Sequence, residues 1–188
     1  MPEATYQDIV DLPEHLTGEI LAGELHIRPG PTAWQGYATL GLLVDLGGPF
    51  MRGRSGPGGW WLLSRSELHL GEDVLVPSLA GWRRARMPVV PDVAGFTLVP
   101  DWICEVLSPR THRTDRLVKM PRYARHGVNH AWLIDPITRT LEVYRRHEDN
   151  WLYLGGHSDA DVVRAEPFDA VPLELSGLWP AEVVAERV

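Results

Sequence analysis

The stretch PDWICEVLSPRTHRTDRLVKMPRYARHGVNHAWLIDP, residues 100–136, decides the fold. Two short apolar runs, WICEVLS and HAWLIDP, stand on either side of a polar and largely basic segment. Their length and their aliphatic and aromatic content predict two strands with a helix between them. One acid, Glu105, lies inside the first run. A buried carboxylate is costly unless a metal ion, a lysine or a hydrogen-bond network pairs with it, so Glu105 is the first candidate functional residue.

Strand alternation divides the side chains of 102–107 between two faces. The faces carry Trp102, Cys104 and Val106 on one side, and Ile103, Glu105 and Leu107 on the other. A divalent cation is a common way to satisfy an acid at the centre of such a face. The plainer interpretation is a core carboxylate paired with Lys119 or with a backbone donor. Cys104 fits a small core residue better than a nucleophile.

The segment from Thr111 to His126 is predicted to form a helix that begins with Thr111 as N-cap and ends at Gly127. Pro121 should break or kink this helix. Asp115 and Lys119 are spaced i, i+4, which fits a surface ion pair. In the functional interpretation, Lys119 points back at the sheet and polarises a phosphate or an attacking water.

Further elements are predicted on both sides of this stretch. GEILAGELHIRPGP alternates around Ala22 and Gly23, which indicates a hairpin. Residues 33–46 form a helix that the following Gly-Gly and Pro49 should stop. HAWLIDP and TLEVYRR form a second hairpin, other short strands fill the centre, and LELSGLWPAEVV is a final packed segment. These elements predict an α/β or α+β fold around one mixed sheet, with residues 1–188 forming a single domain.

Composition excludes several classes of protein. The chain has 188 residues, 44% of them hydrophobic, and a single cysteine, which rules out a disulfide framework and a multi-cysteine zinc site. No signal peptide or membrane-spanning run is evident, so we expect a cytoplasmic protein with no membrane partner. The net charge of -7 argues against bulk coating of nucleic acid. GWRRAR (81–86) and RTHRTDRLVK (110–119) are candidate basic faces or simply solvated surface.

Common catalytic signatures are missing from the sequence. It contains no G-x-S-x-G, G-x-G-x-x-G or G-K-[ST] motif, and its eight histidines lack the H-E-x-x-H spacing. The histidines therefore fit hydrogen-bonding roles better than metal ligation. The eight tryptophans are expected to pack in the core rather than to stack on bases.

A set of motifs carries a family resemblance. They are PDWICEVLSPRT, DR followed by K on the next turn, YARHGV, AWLIDP and LEVY, with GEILAGEL, PGPTAW and SELHLGEDVLVPSLAGWRRARMP upstream. Together they resemble the Uma-type endonucleases of bacteria, a branch of the PD-(D/E)XK restriction-endonuclease-like superfamily. The resemblance covers residues 6–146, and the combined pattern is specific although each motif alone is weak.

The resemblance implies a restriction-endonuclease-like mixed sheet flanked by helices. It also implies a phosphodiesterase site in which an Asp and a Glu hold Mg²⁺ (or Mn²⁺) and a lysine assists the attacking water. Glu105 matches the second acid. Leu107 occupies the usual position of the lysine, which makes Lys119 its counterpart. Glu19 and Glu67 match acids that recur in the family and are expected as accessory residues.

Ser78 departs from the family pattern, which has an aspartate directly after the proline. A serine is a weak neutral ligand, so its presence should weaken metal binding at this position. Three explanations are open: a catalytically impaired homologue, a version altered to disable the enzyme, or another acid, Asp73 or Asp92, that substitutes. The turn-like contexts of Asp73 and Asp92 disfavour the third.

The expected function is that of a Mg-dependent endonuclease that hydrolyses phosphodiester bonds of DNA and is impaired by Ser78. The alternative is a catalytically inactive nucleic-acid-binding or protein-interaction module that keeps the nuclease fold. DNA is the expected partner. A homodimer is also expected, since two-fold dimers are the commonest oligomers and two sites would suit cleavage of both strands.

Overall fold

The computed structural model describes residues 3–181, which form a mixed α+β fold. The helices are α1 (Tyr6–Val10), α2 (Ala33–Leu46), α3 (His112–Thr114) and α4 (Met120–Arg125), with π-helical turns at Gly47–Met51 and Asp115–Lys119 and a 3₁₀ turn at Leu175–Leu178. The strands are β1 (Leu16–Leu21), β2 (Glu24–Pro29), β3 (Trp60–Ser64), β4 (Glu67–Leu70), β5 (Asp73–Leu75), β6 (Leu79–Arg83), β7 (Gly95–Phe96), β8 (Trp102–Val106), β9 (His130–Asp135), β10 (Thr140–His147), β11 (Asn150–Ser158), β12 (Val162–Val163) and β13 (Leu173–Glu174).

Within residues 3–181 the strands are divided between three sheets rather than gathered in one. A six-stranded sheet has the order β11-β10-β9-β8-β6-β3, and its only parallel pair is β8 with β9. A five-stranded sheet has the order β2-β1-β5-β4-β7, and β12 pairs with β13. The parallel pair follows from the helical segment that connects β8 to β9, because parallel neighbours need such a crossover. The expected mixed, helix-flanked fold is confirmed.

The central strand β8 separates two hydrophobic cores, as the alternation of its residues predicts. Trp102, Cys104 and Val106 pack with α2 and the 3₁₀ turn on one face. Ile103 and Leu107 pack on the other face, with α4 and the five-stranded sheet. The side chain of Glu105 therefore points to the same face as Ile103 and Leu107, between two layers of apolar residues. Only its partners there can offset the cost of burying its charge.

One helix has its predicted bounds and another differs from the prediction. Helix α2 ends at Leu46 as predicted, and the chain then adds one π-helical turn over 47–51 before the glycine-rich loop. The predicted helix at 111–126 is divided into α3, the π-helical turn 115–119 and α4. Pro121 lacks an amide hydrogen and cannot close an α-helical bond at its own position, and the wider turn lies directly upstream of it.

The tryptophans serve mainly as core residues, as expected. Trp60, Trp102 and Trp132 surround Phe168, with ring centroids 4.9–5.6 Å from it. The predicted final segment is described as far as Ala181; residues 182–184 of that segment lie outside the described range. Between residues 3 and 181, no helix is both long and apolar enough to cross a membrane.

Candidate functional site

Glu105 and Ser78 are brought together by the pairing of β8 with β6. These strands are antiparallel, with Leu79 opposite Cys104, so the residue before β6 lies beside Glu105. The backbone N–H of Ser78 points at Glu105 Oε2 across 3.4 Å. The Val106 N–H donates to Ser78 Oγ at 3.0 Å. A side chain at position 78 thus stands at the end of β8, next to the carboxylate.

Lys119 lies in the crossover between β8 and β9, and its side chain reaches Glu105. Its side chain is fully buried, and Nζ lies 2.7 Å from Glu19 Oε1 and 2.7 Å from Glu105 Oε1. It also donates to the carbonyl oxygen of Val76 at 3.3 Å. The π-helical turn that ends at Lys119 shifts the residues of this segment relative to a regular α-helix. Single π turns of this kind are frequent at functional sites.

Glu19 comes from β1 in the other sheet, and both of its oxygens are occupied. Oε1 accepts from the Val76 N–H at 2.7 Å as well as from Lys119, and Oε2 accepts from Arg28 Nε at 3.0 Å. Arg28 lies on β2, diagonal to Glu19 in the hairpin register. Arg28 also donates to the carbonyl oxygen of Val76 at 2.7 Å. The β1–β2 hairpin therefore supplies one anion and one cation to the site.

Tyr123 and Asp115 complete the cluster. The hydroxyl of Tyr123, on α4, donates to Glu105 Oε1 at 2.7 Å. Asp115 is one turn before Lys119, and its Oδ1 lies 3.8 Å from Nζ. Both side chains are buried. The i, i+4 pair of Asp115 and Lys119 is therefore an interior feature and not a surface ion pair.

The electrostatics of the cluster favour the charged forms of its central residues. Burial lowers the pKa of Lys119, but the facing Glu105 and Glu19 outweigh it and raise that pKa above its ordinary value. Burial raises the pKa of Glu19, but Lys119 and Arg28 hold it below the ordinary value. Burial and the charge of Glu105 raise the pKa of Asp115 to about 7. The raised pKa favours the protonated form of Lys119.

A cavity lies beside Ser78, next to the cluster. This cavity, of about 210 Å³, lies between α2 and the loop that precedes β6, and its polar lining includes Arg28, Gln35, Arg65 and Ser78. Glu105 and Lys119 are 2% and 0% exposed, so they lie behind this lining. Position 78 and Arg28 therefore lie between this cavity and the Glu105–Lys119 pair.

The family described as "Uma2: Putative restriction endonuclease" matches residues 5–176. The chain belongs to the Uma2 family. A comparison with curated proteins finds no match.

A solved structure shares the fold. It is the crystal structure of "a putative nuclease belonging to DUF820" from Anabaena variabilis, with a TM-score of 0.73 and 20% sequence identity. The alignment covers 94% of this chain and 97% of that chain. Nearly the whole length of this Uma2 chain therefore has the fold of a nuclease-like protein, and the family supports a nuclease function in general.

Not every acid predicted for the site reaches it. Glu105, Lys119, Glu19 and the position of Ser78 meet in this Uma2 chain. Glu67 lies elsewhere, at the start of β4, with Oε1 2.6 Å from Nε2 of His69.

The two acids considered as substitutes for the missing aspartate also lie elsewhere. Asp73 binds the Ala22 N–H, Arg122 and His126. Asp92 is an exposed loop residue.

Sequence reasoning missed Arg28 and Tyr123. A signal for Arg28 existed, because the hairpin turn at residues 22–23 sets the register and places positions 26 and 28 on the face of Glu19. Tyr123 had no comparable signal. Its contact with Glu105 depends on how α4 packs on the sheet.

Most arginines of the two candidate basic segments have structural roles. Arg83 and Arg84 lie over the rings of Trp60 and Trp61, at 4.5 Å and 3.8 Å from the ring centroids. Arg86 pairs with Asp101. In the second segment, Arg116 binds Glu142 through both of its terminal nitrogens. The two segments therefore do not form one continuous basic face.

The residues present do not fit a divalent metal ion, although the Uma2 family suggests use of divalent metals. Within residues 3–181 no group of three His, Cys, Asp or Glu side chains is arranged to hold one. Both oxygens of Glu19 accept from cations or backbone, and Glu105 Oε1 accepts from Lys119 and Tyr123. The ammonium group of Lys119 occupies the space between the carboxylates, and Ser78 contributes no charge.

Proposed function

We propose that this Uma2 chain is directed at DNA and retains the phosphodiester-hydrolase site of its family in a form impaired by Ser78. The observation that supports this is the placement of position 78. Its backbone N–H is 3.4 Å from Glu105 Oε2, at the mouth of the cavity. An aspartate there would add a second carboxylate beside Glu105. Mg²⁺ and Mn²⁺ prefer oxygen ligands of this kind.

Residues of the chain itself would act on the substrate through hydrogen bonds and charge. The pKa of Lys119 is raised and its three N–H donors bind Glu19, Glu105 and the Val76 carbonyl oxygen, so it would act on a phosphate at this site through its charge. Arg28 lies in the cavity wall and also binds Glu19, which fixes its guanidinium. Two such fixed cations can stabilise charge that develops on a phosphate.

Gain of function tests this proposal directly. Supercoiled plasmid is incubated with wild type, Ser78→Asp, Ser78→Asn and the double variant Ser78→Asp/Glu105→Gln, in Mg²⁺, in Mn²⁺ and in EDTA. We expect nicking or linearisation by Ser78→Asp that exceeds wild type by at least about tenfold and disappears in EDTA. The Ser78→Asn variant matches the size of aspartate without its charge and should not gain activity. A folded Ser78→Asp protein that binds metal and cuts no DNA would overturn the proposal.

A specific observation also favours the alternative function, an inactive nucleic-acid-binding or protein-interaction module. Lys119 and Arg28 already compensate Glu19 and Glu105, which leaves little negative charge to attract a metal ion. In that case Ser78→Asp would bind DNA as wild type does and would cut nothing. The plasmid assay, run together with a DNA-binding measurement, distinguishes the two functions.

We also propose that the chain forms a homodimer through the exposed face of α2. Trp34, Tyr37 and Val44 are 44–67% exposed on this helix. The charged residue of α2 is Asp45, in its last turn. A second copy of the same face would meet it about a two-fold axis with few like charges opposed, as an isologous interface requires.

A further inference from the structure

The cavity beside Ser78 combines cationic and apolar walls. Arg28 and Arg65 line it, and no carboxylate is found among the described residues of its lining. Leu40, Leu43 and two prolines form its apolar part. A lining of this kind suits a ligand that has both an anionic group and a flat apolar group.

The cavity adjoins two further depressions near the carboxylate cluster. Two further depressions share Arg28 with it, and both also include Arg110 and Thr111. One of them reaches Glu19 and Asp115. Arg65, Arg28 and Arg110 therefore lie along a row of adjoining depressions, called the groove below, and Glu19 and Asp115 line the same depression as Arg110.

Arg65 and Arg110 differ from Arg28 in the hydrogen-bond donors that they leave free. Arg28 Nε binds Glu19 and Nη2 binds a backbone carbonyl, so its donors are largely committed. Arg65 is exposed, with Nη2 held by Thr17 Oγ1 at 2.6 Å. Arg110 is exposed, and within residues 3–181 it makes no ion pair. Arg65 and Arg110 thus have donors available for an anionic ligand on either side of the site.

The size of the cavity limits what can enter it. A volume of about 210 Å³ is below the roughly 300–1,000 Å³ of pockets for drug-sized ligands. We therefore expect it to hold a single base or sugar. A base inside a duplex is paired and stacked, and it reaches such a pocket only after it has been extruded from the helix.

We propose that this groove binds single-stranded DNA, with phosphates at Arg65 and Arg110 and one unpaired base in the cavity against Leu40 and Leu43. This inference rests on the proposed function, because it places the strand beside the Glu105–Lys119 cluster. It adds that the DNA bound in the groove is single-stranded. Arg65 and Arg110 are positioning residues that hold the backbone on either side of the site.

Fluorescence anisotropy in EDTA tests the groove without any cleavage. The probes are a labelled mixed-sequence oligonucleotide of about 16 nucleotides, its duplex, and a single strand of the same length with abasic positions. We expect the single strand to bind at least about tenfold more tightly than the duplex. The abasic strand should bind more weakly than the intact strand, because it has no base for the cavity.

The variants identify which residues carry this binding. Arg65→Gln and Arg110→Gln should each weaken single-strand binding by about threefold to tenfold and reduce the slope of log affinity against log salt by about 0.7. Arg65→Lys should retain part of the binding. Arg145→Gln removes an exposed arginine that pairs with Glu166 and should change nothing. Each variant should show the circular-dichroism spectrum of wild type.

The outcomes separate this inference from the proposed function. Equal or tighter duplex binding, or full single-strand binding by both Arg65→Gln and Arg110→Gln, would overturn the groove assignment. Cleavage by Ser78→Asp would still support the proposed function in that case. Conversely, single-strand binding by wild type without any cleavage by Ser78→Asp would support the groove and contradict the hydrolase.

Discussion

The ammonium group of Lys119 lies 2.7 Å from a carboxylate oxygen of Glu19 and 2.7 Å from one of Glu105. The two acids come from different sheets, so the ion pairs of this lysine connect the five-stranded sheet to the six-stranded sheet. Burial of all three side chains makes the cluster sensitive to the loss of any one of them.

Removal of the lysine should therefore destabilise the fold. Lys119→Met leaves two carboxylates with their main buried cation gone, and we expect a loss of about 3–5 kcal/mol in the free energy of unfolding. Urea denaturation followed by tryptophan fluorescence measures it. The triple variant Glu19→Gln/Glu105→Gln/Lys119→Met should recover much of the loss. A loss below about 1 kcal/mol in Lys119→Met would show that the cluster contributes little to stability.

Position 78 should control whether the site responds to metal. Ser78→Asp places a second carboxylate near Glu105, so we expect its melting temperature to be lower than that of wild type in EDTA. Millimolar Mg²⁺ or Mn²⁺ should raise that temperature by a few degrees, because a ligand that binds only the native state stabilises it. Differential scanning fluorimetry gives both values. Wild type and Ser78→Asn should not respond, and an equal response from Ser78→Asn would contradict an effect of charge.

Asp73 should make part of the stability depend on pH. Burial raises its pKa, but the Ala22 N–H, His126 and Arg122 outweigh that effect and hold the pKa below its ordinary value. The stabilisation is therefore complete above the unfolded pKa of about 3.9 and is lost as pH falls through the folded pKa. Asp73→Asn should cost about 1–2 kcal/mol near pH 7, and this difference should shrink below about pH 4.

Urea denaturation of Asp73→Asn over a range of pH tests this prediction. Asp149→Asn, which changes an exposed aspartate in the turn between β10 and β11, serves as the control. The free energy of unfolding of this control should equal that of wild type at all pH values. A constant difference between Asp73→Asn and wild type from pH 7 to pH 3 would contradict a role for the charge of Asp73.

The exposed face of α2 should determine the oligomeric state. Val44→Glu and Tyr37→Glu put like charges on both sides of a two-fold interface, so each should shift the protein from dimer to monomer in sedimentation velocity. Val162→Glu alters another exposed valine, in β12, and should leave the state unchanged. A wild type that stays monomeric at high concentration would exclude this interface.

Local patterns predicted most of the secondary structure. The turn at Ala22 and Gly23 follows from the positive φ that these residues adopt, and it sets the register of the first hairpin. The alternation of 102–107 predicted which residues face each core. These features depend on neighbours in the chain, which is why the sequence reveals them. The bounds of α2 were confirmed, but the π-helical turn at Gly47–Met51 was not predicted, because a wide turn inside tertiary packing accommodates proline and glycine.

By itself, the sequence determined the elements of the fold, the family motifs and the presence of an acid, a lysine and a serine at distinctive positions. Tertiary structure alone decided that Glu19 joins Glu105 while Glu67 does not, and that the arginines at 83–86 stack on tryptophans. The physical reason is that buried charges are satisfied by partners from distant parts of the chain. Which sheets face each other, and how the turn at 115–119 directs Lys119 between them, depends on the packing of the whole core.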